Sequence, residues 1–180
     1  IAYPSPADKK GLNVKLVVSH GGISVGADGG SHQQVEDYAI MRVMPNMTVL
    51  IPADTVAVSK LTWIMSQRYG PHYMRLTRSA SPVVHQDSQE FQIGKGIVMR
   101  EGTDCTIAAC GLTVKMALDA ADSLKQEGIN CKIIDMFSIK PIDSELLEKC
   151  ARETGCIVTC EEHNRMGGFG SAVSEVGSER

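Results

Sequence analysis

The sequence predicts an α/β protein with two consecutive units, each a mainly parallel sheet flanked by helices. Apolar runs of strand length alternate with segments of helical period along the chain, which is typical of parallel sheets covered by helices. The 180 residues are 43% hydrophobic, enough to bury the core of one ordinary domain or two small ones. A polar stretch over residues 79–92, with little periodicity, separates the two units.

Short apolar runs predict seven strands. They lie at residues 15–19, 48–51, 72–77, 96–99, 105–109, 131–135 and 156–160. Each run is as short as a strand buried between helices is expected to be.

Capping and breaking residues predict the helices between the first strands. Ser31 and Gln34 form a capping-box pattern, which predicts a helix over residues 31–43 that ends before Pro45. Asp54 is a candidate N-cap of a second helix, which should end at Gly70.

Three later helices are indicated in the same way. An apolar stripe over residues 112–127 stops at Gly128, and residues 143–153 lie between Pro141 and Gly155. The glycine-rich run at 167–170 leads into a final helix. The predicted organisation is a first domain over residues 1–80, a linker over 81–92 and a second domain over 93–180.

Charge and composition exclude several classes of function. The formal net charge is -3 and Lys and Arg do not cluster, which argues against a nucleic-acid or membrane-surface binder. No apolar run approaches the ~20 residues that span a bilayer. Most of the six cysteines lie within or beside apolar runs, so we expect reduced thiols and a cytoplasmic protein.

The densest polar cluster is the loop over residues 19–33, directly after a predicted strand. The carboxyl ends of strands in an open parallel sheet border a ligand crevice. Within this loop, His20, Asp28 and His32 can bind a polyol through directional hydrogen bonds, and the imidazoles can assist proton movement. The alternative is that Asp28 belongs to a turn and the two histidines only end a strand and begin a helix.

Arg78 is the candidate phosphate ligand, because its planar guanidinium suits a bidentate contact and strand alternation separates it from Arg75. A surface ion pair is the alternative. The loop glycines do not reproduce a dinucleotide fingerprint. The run at 167–170 could cradle a phosphate but favours a structural role.

A zinc site is disfavoured by geometry. Cys156, Cys160 and His163 resemble a ligand cluster. If residues 156–160 form a strand, however, the two thiols lie about 13 Å apart, too far for one zinc ion.

These motifs together resemble the transketolase family, and the resemblance covers nearly the whole chain. It is carried by residues 19–33 (SHGGISVGADGGSHQ), 44–49, 52–54, 75–78, 161–164 and 167–168. Gly30 and Ser31 replace the commoner Pro-Thr before the second histidine, and residues 5–10 form a polar insertion of unassigned role.

The resemblance implies specific roles. His20 and His32 would be catalytic, contacting sugar hydroxyls and aiding proton transfer, while Asp28 and Arg78 would bind the substrate, Arg78 through its phosphate. The family transfers a two-carbon ketol unit from a ketose phosphate to an aldose phosphate, in the pentose phosphate pathway, with thiamine diphosphate and Mg²⁺. The main ligands of both are expected outside this chain, and no cofactor-binding or metal-binding residue is assigned within it.

The resemblance also implies that residues 1–80 are the later part of a pyrimidine-binding domain and residues 93–180 most of the C-terminal domain. We therefore expect a fragment, or one chain of a split enzyme, inactive alone. Its partner would carry the diphosphate-binding domain in a dimer, another homo-oligomer or a heterotetramer. The alternatives are deoxyxylulose-phosphate synthase, the β chain of a 2-oxo acid dehydrogenase, or a noncatalytic dimerisation module.

Overall fold

Short apolar strands form two four-stranded sheets in the computed structural model, which describes residues 12–178. The strands are β1 (Lys15–Val18), β2 (Thr48–Leu50), β3 (His72–Arg75), β4 (Ile97–Arg100), β5 (Cys105–Ala109), β6 (Cys131–Asp135), β7 (Ser138–Lys140) and β8 (Ile157–Cys160). The α-helices are α1 (Asp37–Val43), α2 (Thr55–Gln67), α3 (Thr113–Gln126), α4 (Ser144–Thr154) and α5 (Phe169–Ser178). The polar insertion at residues 5–10 lies outside the described residues.

Both sheets are mainly parallel and are flanked by helices, which confirms the predicted fold class. The first has the order β1-β3-β2-β7, with β1 and β2 parallel to β3. The second has the order β4-β6-β5-β8, with β6 and β8 parallel to β5. One edge strand in each sheet, β7 or β4, is antiparallel to its neighbour.

Strand β7 links the two sheets, and the sequence pattern did not predict it. It follows β6 of the second sheet but pairs with β2 of the first, and the Ile51 N–H donates to the Phe137 carbonyl at 2.7 Å. Three residues are too few to show a period of two. The shared ladder means that the two units are joined by backbone hydrogen bonds as well as by the chain.

The predicted N-cap at Asp54 and the predicted end of a helix at Gly155 are confirmed. The Asp54 carboxylate accepts from the Ala57 N–H at 2.9 Å at the start of α2. Asp143 accepts from the Leu146 N–H at 3.1 Å, and Gly155, with φ 74°, ends α4 in the left-handed conformation. A glycine is favoured there because it carries no Cβ.

The helix predicted over residues 31–43, with its capping box, is wrong in its first half. Residues Gly30–His32 form a 3-10 turn and α1 begins only at Asp37. Gln34 instead pairs with Gly21, and its carbonyl accepts from the Gly22 N–H at 2.8 Å. Because Gln34 is held in extended backbone, it cannot complete a capping box with Ser31.

The largest hydrophobic cluster contains residues from both units. It includes Val49, Ile51 and Tyr73 from the first and Ile134 and Met136 from the second. This shared core fixes the position of the first sheet against the second. Within residues 12–178, no helix is both long and apolar enough to cross a membrane.

Candidate functional site

The two candidate catalytic histidines line one cleft at the carboxyl end of β1. His20 and His32 are both exposed, and they share a cleft of about 540 Å³ with Ser19, Gln33 and Tyr73 among its walls. The position agrees with the rule that ligand crevices form beyond the carboxyl ends of parallel strands. The cleft is open and polar enough to admit a hydroxylated ligand.

Each histidine is oriented by the serine before it. Ser19 Oγ lies 2.8 Å from His20 Nδ1, and Ser31 Oγ lies 3.1 Å from His32 Nδ1. In the part of the chain that the structure describes, neither Nε2 atom has a hydrogen-bond partner, so both are available to a ligand. His20 has φ 67°, a left-handed backbone that is uncommon for a residue other than glycine and is concentrated at functional sites.

Asp28 and Arg78, the candidate substrate ligands, form an ion pair. Arg78 Nε lies 2.9 Å from Asp28 Oδ2, and both side chains are partly exposed. They lie outside the walls of the histidine cleft, near Gly26 of the same loop. The surface-pair alternative for Arg78 therefore describes the observed contact, but the contact engages Nε and leaves the outer edge of the guanidinium for a second anion.

A buried ion pair lies beneath the loop. Arg75 Nη1 donates to Asp37 Oδ1 at 3.0 Å, and both side chains are 3% exposed. Arg75 also lies over the Tyr38 ring, 4.3 Å from its centroid, and a Cβ on Gly21 would come within 2.3 Å of the Arg75 side chain. The absence of a side chain at Gly21 is therefore required for the loop to pack on Arg75.

Two buried tyrosines complete this frame. The Tyr73 hydroxyl donates to Asp37 Oδ2 at 2.6 Å. Burial, followed by the hydrogen bond to Asp37, raises the pKa of Tyr73. Burial likewise raises the pKa of Tyr38. Both phenols consequently stay protonated, and Tyr73 remains a hydrogen-bond donor to the carboxylate.

The second unit holds the loop from the other side through Glu162. Its Oε1 accepts from the Ser24 N–H at 2.9 Å, and its carbonyl accepts from Arg75 Nη2 at 3.1 Å. The neighbouring His163 stacks on Tyr38 with ring centroids 4.7 Å apart. Glu162 is buried and thus couples the loop to the second sheet.

Arg75, Asp37 and Glu162 were not among the predicted site residues. Glu162 and Arg75 contact the loop, and Asp37 binds Arg75 at the wall of the cleft. None of the three belongs to the loop over residues 19–33, so no polar pattern in the loop itself indicates them. The available signal was their charge at positions next to apolar strand residues, since a buried charge requires a partner.

The glycine-rich entrance to α5 has a structural role. The Glu161 carboxylate accepts from the Phe169 N–H at 2.6 Å and from the Gly170 N–H at 2.7 Å. These are the unpaired donors that a phosphate would need. Glu161 therefore fills the helix terminus and favours the structural interpretation of residues 167–170.

The described residues do not fit the metal-binding end of a metal-diphosphate cofactor. Between residues 12 and 178, no group of three or more His, Cys, Asp or Glu side chains is arranged to hold a metal ion. The exposed donors of the loop are two imidazoles, one carboxylate and one guanidinium, which suit hydroxyl and phosphate oxygens.

Both units of the chain match known protein families. The pyrimidine-binding domain of transketolase matches residues 4–83, and the C-terminal domain of transketolase matches residues 94–180. A protein of Methanocaldococcus jannaschii named as a transketolase C-terminal section is 42% identical over 98% of this chain and 54% of its own length. One of the subunits of an apulose-4-phosphate transketolase from Phocaeicola vulgatus is 42% identical over 93% of this chain and 54% of its own.

A solved structure shows the same fold. A split-gene transketolase, described as an inactive β4 tetramer, superimposes with a TM-score of 0.88 at 46% identity, covering 94% of this chain and 55% of that one. The chain therefore spans about half the length of these three relatives.

Proposed function

The chain belongs to the transketolase family, and from that premise we propose that it serves, in a complete assembly, in the transfer of a two-carbon ketol unit from a ketose phosphate to an aldose phosphate. The observation that carries the proposal is the pair of exposed imidazoles, His20 and His32, on one cleft at the end of β1. Relatives that are named as transketolase subunits support the same class of reaction.

In this proposal the histidines bind sugar hydroxyls and move protons. Thiamine diphosphate, when bound, supplies the carbanion chemistry that cleaves and forms the carbon-carbon bond. His20 and His32, each with Nδ1 beside a serine hydroxyl, present Nε2 toward the cleft, where it can accept or donate a proton at a substrate oxygen. The contact with the Ser19 hydroxyl favours a fixed orientation of the His20 ring.

Asp28 and Arg78 recognise the substrate. The Asp28 carboxylate holds Arg78 through Nε, so the two terminal nitrogens of the guanidinium can bind a sugar phosphate in a bidentate contact. The remaining oxygen of Asp28 can accept from a sugar hydroxyl. Because both side chains are partly exposed, a ligand reaches them without rearrangement of the core.

Activity requires a partner that contributes the thiamine diphosphate and Mg²⁺ ligands. The chain covers about half the length of the two relatives named above. The described residues do not fit the metal-binding end of the cofactor. We infer that the complement is a separate chain or segment with the diphosphate-binding domain, in a dimer, another homo-oligomer or a heterotetramer. A cytoplasmic location and a role in the pentose phosphate pathway belong to the same proposal.

A second candidate function, noncatalytic assembly, is favoured by one comparison. The similar split-gene transketolase is described as an inactive β4 tetramer. A chain of this kind would associate with copies of itself and perform no chemistry alone. Retention of exposed His20, His32 and Arg78 favours catalysis for the complete assembly, since an assembly module has no use for them.

The test is ketol transfer from xylulose 5-phosphate to ribose 5-phosphate, with thiamine diphosphate and Mg²⁺, by this chain alone and with its complement. We expect activity only in the combined sample, and a loss of about a hundredfold or more with His32→Ala or His20→Ala. Gln86→Ala, an exposed substitution outside the site, is the control. Turnover of pyruvate with an aldehyde instead would indicate another thiamine enzyme, and a folded, cofactor-bound complex without activity would favour assembly.

A further inference from the structure

Three thiols meet at the end of the second sheet where β5 and β6 begin. Cys105 opens β5 and Cys131 opens β6, and these two residues lie opposite each other in the parallel register. Their Sγ atoms are 3.3 Å apart. Cys156 comes just before β8, and its carbonyl accepts from the Thr106 N–H at 3.0 Å. Because Ile157 lies opposite Thr106 in the parallel pairing of β8 with β5, Cys156 lies beside Cys105 at the same end of the sheet.

The geometry of the first two thiols suits a disulfide. Neighbouring strands lie about 4.8 Å apart, within the Cα separation that disulfides span. The sulfur atoms are 3.3 Å apart, and a disulfide would bring them to a covalent distance of about 2.05 Å. All six cysteines are free thiols.

The three thiols differ in their exposure to solvent and therefore in their access to an oxidant. Cys156 is exposed, Cys105 is partly buried and Cys131 is 2% exposed. Burial, then the contact with Cys131, raises the pKa of Cys105 to about 11, so Cys105 is a poor first nucleophile at neutral pH. The exposed thiol is therefore the one that a small oxidant meets first.

We propose that Cys105, Cys131 and Cys156 form a peroxide-reactive redox site in which Cys156 reacts first and Cys105–Cys131 becomes the final disulfide. The Cys156 thiolate attacks a hydroperoxide oxygen, an S–O bond forms, the O–O bond breaks, and an alcohol or water leaves after protonation. The Cys105 thiol then attacks the sulfenic sulfur, which forms an S–S bond and releases water. The Cys131 thiol attacks Cys105 and displaces Cys156 as a thiol.

The overall step oxidises two thiols and reduces one peroxide, so atoms and electrons balance.

The redox site is distinct from the cleft that His20 and His32 line. Strand β5 runs from Cys105 toward the junction between the units, where Gly111 N–H donates to the Ile51 carbonyl at 3.1 Å. Oxidation should consequently link β5 to β6 covalently and leave the conformation of the loop over residues 19–33 unchanged.

The test uses the full chain treated with an equimolar amount of hydrogen peroxide, then alkylated under denaturing, non-reducing conditions and digested with trypsin. The peptide over residues 126–132 contains Cys131 alone, so its cross-linked partner reports the disulfide directly. We expect a link to the peptide over residues 101–115, located by fragmentation at Cys105 rather than Cys110. Cys156 should be recovered as an alkylated thiol.

Two variants assign the order of events. Cys156→Ser should slow formation of the disulfide by about tenfold or more, because the exposed thiol is removed. Cys105→Ser should accumulate a sulfenic acid on Cys156, trapped by dimedone. Cys160→Ser, at the opposite end of β8, is the matched control and should form the link at the wild-type rate.

Other outcomes would overturn the proposal. These are no disulfide, a final Cys105–Cys156 or Cys110 link, over-oxidation of Cys156 in the wild type, or an unchanged rate in Cys156→Ser. Circular dichroism establishes that each variant is folded. If Cys105→Ser does not fold, two measurements still test the proposal. These are the identity of the disulfide in wild type and the rate of disulfide formation in the surface variant Cys156→Ser.

Discussion

Arg75 and Asp37 form a buried ion pair directly beneath the loop that carries the candidate catalytic histidines. Their atoms are 3.0 Å apart, and neither side chain reaches solvent appreciably. The pair is bound on three sides, by the Tyr73 hydroxyl, the Tyr38 ring and the Glu162 carbonyl. A fully partnered buried pair of this kind fixes a geometry, whereas its loss leaves an uncompensated charge in the interior.

Asp37→Asn should lower the free energy of unfolding by about 3–5 kcal/mol, because Arg75 keeps its charge and loses the carboxylate. Equilibrium unfolding in urea measures the change. The control is Asp122→Asn, which removes the carboxylate of the exposed Arg100–Asp122 pair and should cost less than about 1 kcal/mol. Equal costs for the two variants would contradict the role assigned to the buried pair.

Glu162→Ala should lower kcat/KM of the reconstituted enzyme by about tenfold or more. The Ser24 N–H loses its acceptor, and the loop over residues 19–33 therefore loses a contact with the second unit. Steady-state kinetics with both sugars measure the loss, and the KM for sugar should rise more than kcat falls. Glu162→Gln retains a carbonyl acceptor and should recover most of the activity.

The control for this experiment is Glu175→Ala, which removes an exposed carboxylate of the second unit that pairs with Arg42 of the first, away from the loop. It should leave both kinetic constants at wild-type values. A Glu162→Ala enzyme with normal KM values, or a Gln variant as impaired as the Ala variant, would exclude a positioning role for this side chain.

Arg78→Ala should raise the KM for phosphorylated sugars by about tenfold to a hundredfold, since a charge-assisted contact is lost, and leave the KM for unphosphorylated sugars nearly unchanged. Stability should change by less than about 1 kcal/mol, because the Asp28 pair is partly exposed. Arg100→Ala, which breaks a similar surface pair, is the matched control. Equal effects on both kinds of sugar would contradict phosphate recognition.

Local sequence signals predicted most of the fold because the conformation that neighbouring residues favour is, at most positions, also the one that tertiary packing selects. The apolar run at 105–109 and the N-cap at Asp54 each have one low-energy outcome, and both occur as expected. Ser31 and Gln34 fit a capping box equally well, but the pairing of Gln34 with Gly21 prevails over the local preference. Long-range pairing of this kind is invisible to a pattern of four residues.

Some residues of the candidate site could be predicted from the sequence, and others could not. Its exposed residues, such as His20 and His32, lie in one polar loop and can be selected from the sequence. Its supporting residues come from distant segments: Asp37 and Glu162 are far apart in the sequence, and Arg75 contacts both. The predicted division at residues 81–92 still stands as a prediction, although His85 within it is buried rather than exposed.

His85 joins that segment to both units through two buried carboxylates. Its Nδ1 lies 3.0 Å from Asp54 Oδ2 and its Nε2 lies 3.2 Å from Asp135 Oδ2, with all three side chains fully buried. Burial lowers the pKa of His85, but Asp135 and Asp54 together outweigh it and raise the pKa. Burial raises the pKa of Asp135 to about 6. These contacts favour the protonated form of His85, which places a positive charge between the two acids.

The sign of the resulting pH dependence follows from the shifts. A raised folded-state pKa means that the stabilisation from His85 is fully present below its ordinary value of 6.5 and is lost as pH rises through the raised pKa. Asp135 contributes in the same direction between 3.8 and about 6. Burial raises the pKa of Asp54, but its backbone hydrogen bonds outweigh this and lower the pKa, so its stabilisation is lost only as pH falls.

We expect His85→Gln to be less stable than wild type by about 3 kcal/mol near pH 6, because a glutamine leaves the two buried acids without a cation. In wild type, the contribution of the His85 charge is lost as pH rises through the raised pKa of His85. Urea unfolding of both proteins across that range measures the gap, and comparing them removes the opposite contribution of buried His72, whose pKa is lowered by burial. A variant as stable as wild type near pH 6 would show that the two buried acids do not need a charge on His85.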